Sequence, residues 1–148
     1  MQAMIDETSV WRGSDAQFLE LLTKVIFCTG FRPAVVERRW TAFRQAFCDF
    51  DIDAVACFDE VMTEQLLTQE KGIIRNVRKV QATVSNAMIC KWLIEKYESM
   101  ENFVLSLYLG GEQEACLVLR TTFNQVGESA ARSMYRALMA AQSEVSFV

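Results

Sequence analysis

Residues 123–129, Phe123-Asn124-Gln125-Val126-Gly127-Glu128-Ser129, lie between two apolar stripes: Cys116, Leu119 and Phe123 on one side, Ala131, Met134, Tyr135, Leu138 and Met139 on the other. Apolar residues three and four apart line one face of an α-helix. Only residues 124–127 separate the two stripes, which predicts a tight helix-hairpin-helix at about 115–141. A glycine directly before a helix start lets the backbone approach a ligand closely, and the first N–H groups of the helix point outward as an anion site. Ser129 and Arg132 add a hydroxyl donor and a counter-charge suited to phosphate. A plain helix connection capped by Gly127 explains the same residues, and Glu128 competes for the same amides. Both readings stay open at this point.

The helical period extends through the rest of the chain. Phe18, Leu21, Leu22, Val25 and Ile26 form an amphipathic stripe opened by Ser14 or Asp15 and ending near Gly30. Pro33 suits the first turn of the next helix, on which Val36, Trp40, Phe43 and Phe47 mark one face. Residues 49–53 read as a turn and a new cap, followed by short helical stretches through Val55 and Phe58, then through Leu66 and Leu67. Lys71-Gly72 reads as a turn. The longest expected helix runs from about Arg75 to Tyr97, with Val77, Val80, Val84 and Ala87 spaced by three and four. Phe103, Val104, Leu107 and Tyr108 form another, closed by Gly110-Gly111. No alternating pattern long enough for a sheet appears, and only six glycines and one proline interrupt the chain. The expectation is an all-α fold in a single domain over residues 1–148.

At this size a domain buries roughly 70% of the surface its unfolded chain exposes, so no disulfide or metal staple is required. The five cysteines are dispersed and lack a C-x-x-C pair, and the chain contains no histidine, so reduced thiols and no metal or other cofactor are expected. No apolar run reaches the roughly 18 residues of a membrane span, and residues 1–7 lack the basic and apolar regions of a signal peptide. These features point to the cytoplasm and away from a membrane. Net charge is −4 with a pI near 4.9, which argues against a protein held to nucleic acid by overall charge. Distribution argues the other way: Arg32, Arg38, Arg39 and Arg44, then Lys71, Arg75, Arg78 and Lys79, then Arg120, Arg132 and Arg136 form three basic groups. Solvated helix faces would look the same.

Gly72-Ile73-Ile74-Arg75-Asn76-Val77-Arg78-Lys79-Val80 followed by Asn86-Ala87 resembles the G-I-I-R-N-x-x-K-I…N-A segment of the DNA-3-methyladenine glycosylase I family. Three further stretches fall in that family's order. Thr29-Gly30-Phe31 with Arg39, Phe43, Arg44 and Phe47 resembles A-G-(L/F)-S-W…R…(F/Y)-R-x-x-F; Phe50-Asp51 with Val55-Ala56 resembles F-D-P-x-x-V-A; Phe123 with Val126-Gly127 resembles F-x-F-V-G. Together they span roughly residues 15–140. The resemblance implies a helix-hairpin-helix DNA glycosylase, which flips a damaged base out of duplex DNA and cuts its N-glycosidic bond. Double-stranded DNA containing alkylated bases is then the implied partner.

The same resemblance exposes departures. The family holds a structural zinc through cysteine and histidine ligands, and histidine is missing here. Its purine-recognising glutamate, five residues before the motif glycine, is replaced by Val25, and the tryptophan three residues after that glycine by Pro33. A branch reading V-F-x-x-G-F and G-E-S-(T/A) matches better at Val25-Ile26-Phe27-Cys28-Thr29-Gly30-Phe31 and at Gly127-Glu128-Ser129-Ala130. Trp11 and Phe27, as aromatic faces that bind bases regardless of sequence, and Val25, at the family glutamate's place, are expected at the base pocket, Gly30 and Phe31 at a DNA wedge, and Arg75, Lys79, Gly127, Ser129 and Arg132 at the DNA backbone. Trp40, also aromatic, is expected in the core. No catalytic acid is assigned, because the last aspartate is Asp59 and Glu144 is a poor substitute. Release of alkylated purines is the first functional reading. A lesion-binding or regulatory protein with lapsed catalysis, and a helical interaction module, are the alternatives.

Overall fold

The structure, a computed structural model, describes residues 11–145, with side chains as far as residue 140. Residues 1–7 and Glu144, which entered the sequence reading, lie outside the described backbone and side chains respectively. Eight α-helices occur among the described residues: α1 (Asp15–Cys28), α2 (Pro33–Arg38), α3 (Trp40–Ala46), α4 (Ile52–Ala56), α5 (Glu60–Leu66), α6 (Val77–Tyr97), α7 (Met100–Thr122) and α8 (Glu128–Val145). They contain no strand, in keeping with the expected all-α fold.

Local chemistry sets most helix ends. The Ser14 hydroxyl accepts from the Gln17 N–H and opens α1, while Asp51, Asp59, Asn76 and Ser99 do the same for α4, α5, α6 and α7. Each such cap satisfies an amide that the helix itself leaves unpaired, a contribution of about 1 kcal/mol. Pro33 occupies the first turn of α2, where its missing N–H costs nothing. Gly72 closes the short 3-10 turn before α6 at φ 79°, a left-handed value that glycine adopts without strain.

α1 is the centre of the molecule. Ten of its fourteen residues are buried, and it packs against α2, α4, α6, α7 and α8. Buried side chains from all eight helices join one hydrophobic cluster. An aromatic stack runs through its α3 side: Trp40 lies 4.7 Å from Phe43 and 5.6 Å from Phe50, and Phe47 continues to Phe58 at 6.1 Å. Phe18, Phe103 and Phe123 pack mutually at 5.7–6.3 Å beneath the α7–α8 connection. Fully burying a side chain of this kind stabilises by roughly 1.5–3 kcal/mol, so both clusters fix helix positions strongly.

Two details differ from the sequence reading. The expected single helix through Val36, Trp40, Phe43 and Phe47 breaks at Arg39 (φ −101°, ψ 5°), which ends α2 and begins α3. The stripe survives the break, since all four side chains are buried. The Arg39 guanidinium is drawn to the Gly72 carbonyl at 3.1 Å, tying the break to the turn before α6. In addition, the helices on either side of Gly110-Gly111 are joined into α7, with Gly111 as an extended kink (φ 83°, ψ 171°).

Candidate nucleic-acid interface

Two turns gather the exposed features singled out in the sequence. The first joins α1 to α2. Gly30 adopts φ 71° with nothing within 4 Å of the position a Cβ would take, and Phe31 follows it with 45% of its surface exposed. The Phe31 N–H donates to the Cys28 carbonyl at 3.1 Å, which makes the turn tight. An exposed phenylalanine on a tight turn is a face available for stacking.

The second turn is the hairpin between α7 and α8. Phe123 and Val126 are buried, while Gly127, Glu128 and Ser129 are exposed. The first helical bond of α8 runs from the Ala131 N–H to the Gly127 carbonyl at 2.9 Å, so Gly127 occupies the cap position. The amides just after it belong to the first turn of α8 and have no carbonyl ahead of them in the helix. Arg132, one turn further along α8, is exposed and donates to the Glu128 carboxylate at 3.2 Å. A groove of about 420 Å³ beside the hairpin is lined by Glu112, Gln113, Cys116, Arg120, Glu128 and Arg132.

One helix holds both turns. The Lys79 ammonium on α6 donates to the Thr29 carbonyl at 2.8 Å and the Phe27 carbonyl at 3.4 Å, and lies 5.8 Å from the Phe27 ring centroid. Burial lowers the Lys79 pKa, while the nearby Cys28 acts to raise it. Two turns along α6, the Asn86 side chain donates to the Asn124 carbonyl at 3.2 Å and accepts from the Asn124 N–H at 2.8 Å.

The structure therefore separates the expected site residues into groups. Gly30, Phe31, Arg75, Gly127, Ser129 and Arg132 are exposed. Lys79, expected at the DNA backbone, is instead half-buried and committed to the carbonyl end of α1. Trp11, Val25 and Phe27, expected at a base pocket, are buried at 1%, 2% and 0% exposure. The Trp11 indole donates to the Ser14 carbonyl at 3.0 Å, and Phe27 packs edge-on against Phe43 at 4.8 Å. All three are part of the core cluster. Trp40 is core as expected, with 5% exposed.

Sequence reasoning missed a network of charges on α1. Glu20 accepts from the Trp40 indole at 2.7 Å and from the Arg44 guanidinium at 2.6 Å through the same oxygen. Lys24 pairs with Glu37 at 2.7 Å and lies 5.4 Å from the Trp40 ring centroid. A charged residue four positions from another on the buried stripe of α1 was the signal available. A second groove, about 430 Å³, has Asp15, Asp51, Asp53 and Glu95 on its walls with Lys91, a composition that repels phosphate. Among the described residues, no group of three or more histidine, cysteine, aspartate or glutamate side chains is placed to hold a metal ion. No described helix is long and apolar enough to cross a membrane.

The comparisons agree with this architecture. A structure of 3-methyladenine DNA glycosylase I matches with a TM-score of 0.74 at 24% identity, over 87% of this chain and 81% of that one. A Staphylococcus aureus 3-methyladenine DNA glycosylase I, solved to explain 3-methyladenine recognition, also matches with a TM-score of 0.74, at 19% identity over 85% of this chain and 77% of that one. At these identities the likeness is one of fold. The methyladenine glycosylase family profile matches residues 7–143, nearly the whole chain, and the protein belongs to that family.

Proposed function

We propose that the chain is a DNA glycosylase of base-excision repair that flips alkylated purines such as 3-methyladenine out of duplex DNA and releases them. The observation that carries this reading is the family match over residues 7–143. In the proposed complex, Phe31 on the Gly30 turn enters the space the flipped base leaves, and aromatic contact offsets part of the lost stacking. The first-turn amides of α8 beside Gly127, with Ser129, Arg132 and Arg75, hold the phosphates and set the register.

The chemistry asks little of the protein. An alkylated purine carries a positive charge, so when its bond to C1′ breaks the electron pair neutralises the departing base. Water adds to the sugar carbon and gives up a proton to solvent. The protein's part is to flip the nucleotide and orient it, and to keep the developing positive charge of the sugar close to DNA phosphates. The proposed location is the cytoplasm, which the five free cysteines suit.

A second reading is favoured by one specific observation: Val25 is buried where the family's glutamate stands in the resemblance, and Trp11 and Phe27 are buried with it. A lesion-binding protein without turnover fits the absence of that carboxylate. Incubating the protein with methylated duplex DNA and measuring released bases by chromatography separates the two. Release above the spontaneous rate supports the enzyme, while lesion-selective binding without release supports the second reading.

A further inference from the structure

We infer that α6 is the spacer that sets the distance between the Gly30–Phe31 turn and the hairpin, with Lys79 and Asn86 as its positioning residues. Seven residues apart on a helix, they lie on one face about 10 Å apart along the axis. Each reaches main-chain atoms at or beside a different turn: Lys79 the Thr29 carbonyl and the Phe27 carbonyl at the end of α1, Asn86 both the N–H and the carbonyl of Asn124. Thr83 lies between them, buried, with its hydroxyl bonded to the Lys79 carbonyl at 2.9 Å. Asn86 is itself buried at 1% exposure, so leaving its amide unpaired is costly and the hairpin end is fixed tightly.

The geometry also explains why a lysine stands at the first position. α1 ends at Cys28 with its last carbonyls pointing towards α6, and no basic residue occupies its last turn. An ammonium donating to those carbonyls satisfies them and complements the negative end of the helix dipole. Lys79 thus acts through the Thr29 main chain on the exposed pair that follows it. The G-I-I-R-N-x-x-K…N-A segment becomes a ruler for two DNA-facing turns, with Arg39 bonded to the Gly72 carbonyl at its start. A wedge and a phosphate clamp that must engage the same duplex together need such a fixed separation.

The inference rests on the proposed glycosylase reading for its effect on turnover, and the experiment keeps the two apart. Lys79→Met, Lys79→Arg and Asn86→Asp are compared with the parent by hydrogen exchange, by duplex binding across salt concentrations and by single-turnover release from methylated DNA. Lys79→Met should speed exchange about tenfold at residues 29–32 and leave residues 124–127 unchanged, whereas Asn86→Asp should do the reverse. Lys79→Met should also slow release by roughly tenfold to a hundredfold, with undamaged-duplex affinity and its salt slope unchanged, and Lys79→Arg should recover most of the rate. Unchanged exchange at residues 29–32 in Lys79→Met overturns the inference. So does a salt slope flattened by about one unit, which would make Lys79 a phosphate contact. If the parent releases no base, the glycosylase reading fails, and exchange and salt slope still decide the role of α6.

Discussion

The Lys24 ammonium stands 2.7 Å from the Glu37 carboxylate, and the two sides of the pair differ in burial: 7% of the lysine side chain is exposed against 35% of the glutamate's. That asymmetry predicts which half of the pair the fold can spare. Glu37→Gln leaves a buried ammonium facing a neutral amide and should cost about 1–3 kcal/mol, below the range for fully buried pairs because Glu37 reaches solvent. Lys24→Met leaves a carboxylate that water can solvate and puts an unbranched apolar side chain of similar length in the buried position, so the cost should be under about 1.5 kcal/mol. Urea denaturation of both variants checks the order, and a larger loss for Lys24→Met contradicts it.

The cysteines predict a dependence on pH. Burial pushes the Cys28 thiol up to about 11, partly countered by Lys24 and Lys79, and burial raises Cys90 further. A raised thiol pKa means that the folded chain keeps a proton that the unfolded chain releases. The contribution is therefore fully present below about pH 9 and is lost as pH rises towards 11. Stability measured by denaturant titration should fall across that window. At neutral pH a thiol reagent should label exposed Cys48 and Cys57 rapidly, and Cys28 and Cys90 only after unfolding. Rapid native labelling of Cys90 would contradict the packing of α6.

Metal removal should leave the melting temperature unchanged. The chain contains no histidine, and its cysteines are dispersed from Cys28 to Cys116. A structural zinc site contributes folding energy directly, so a chelator-induced drop in melting temperature, together with stoichiometric zinc in the purified protein, would contradict this expectation.

The hairpin can be tested without damaging the fold. No atom lies within 4 Å of the position a Cβ would take at Gly127. Gly127→Asp should therefore leave the melting temperature within about 1 °C while weakening duplex binding, because it places a carboxylate where a phosphate is proposed to sit. Arg132→Ala should flatten the salt slope by up to about one unit. Glu128→Gln should act in the opposite direction, since it frees Arg132 from its 3.2 Å partner and removes a competing carboxylate from the first turn of α8. Binding by all three equal to the parent would reduce the hairpin to a structural turn.

The fold was legible because helical periodicity and capping agree along most of the chain. Ser14, Pro33, Asp51 and Gly72 stand where helix ends require them, and the stripes on α1 and α8 point to one core. The break at Arg39 was not legible: the apolar spacing continues across it, and the Arg39 side chain bonds a carbonyl 33 residues away at Gly72. Site residues divide in the same way. Phe31 and Gly127 follow from local chemistry, a glycine beside an exposed aromatic or before a helix start. Lys79 looked like one cation of a basic group, and only its position opposite the end of α1, 50 residues earlier, shows where the ammonium goes. Trp11 and Phe27 were singled out as aromatic faces and Val25 by its place in a motif, while the apolar stripe that also carries Val25 already pointed it to the core.

Val25 gives the sharpest test of substrate range. It is 2% exposed on the central helix, and no carboxylate stands at that position to pair with a protonated or methylated purine. Discrimination in the proposed enzyme then rests on stacking and on the weak glycosidic bond of the lesion. Release should be slow, and similar across cationic alkylpurines. Neutral lesions such as uracil or oxidised guanine should stay in the DNA, because their departure calls for protonation of the leaving group and no acid is assigned to supply it. Val25→Glu introduces a carboxylate into the core and should destabilise the protein by several kcal/mol when ionised, so the variant is compared only at temperatures where it is folded. In that state the carboxylate's pKa is raised by burial, and any preference it confers on methylated purines should grow as pH rises and the group ionises. The measurement is base release from methylated and from uracil-containing duplexes, parent against variant, across pH. Uracil release by the parent at a rate close to that for methylated purines would refute this account, since it would require a proton donor or activated water among residues assigned here only to packing.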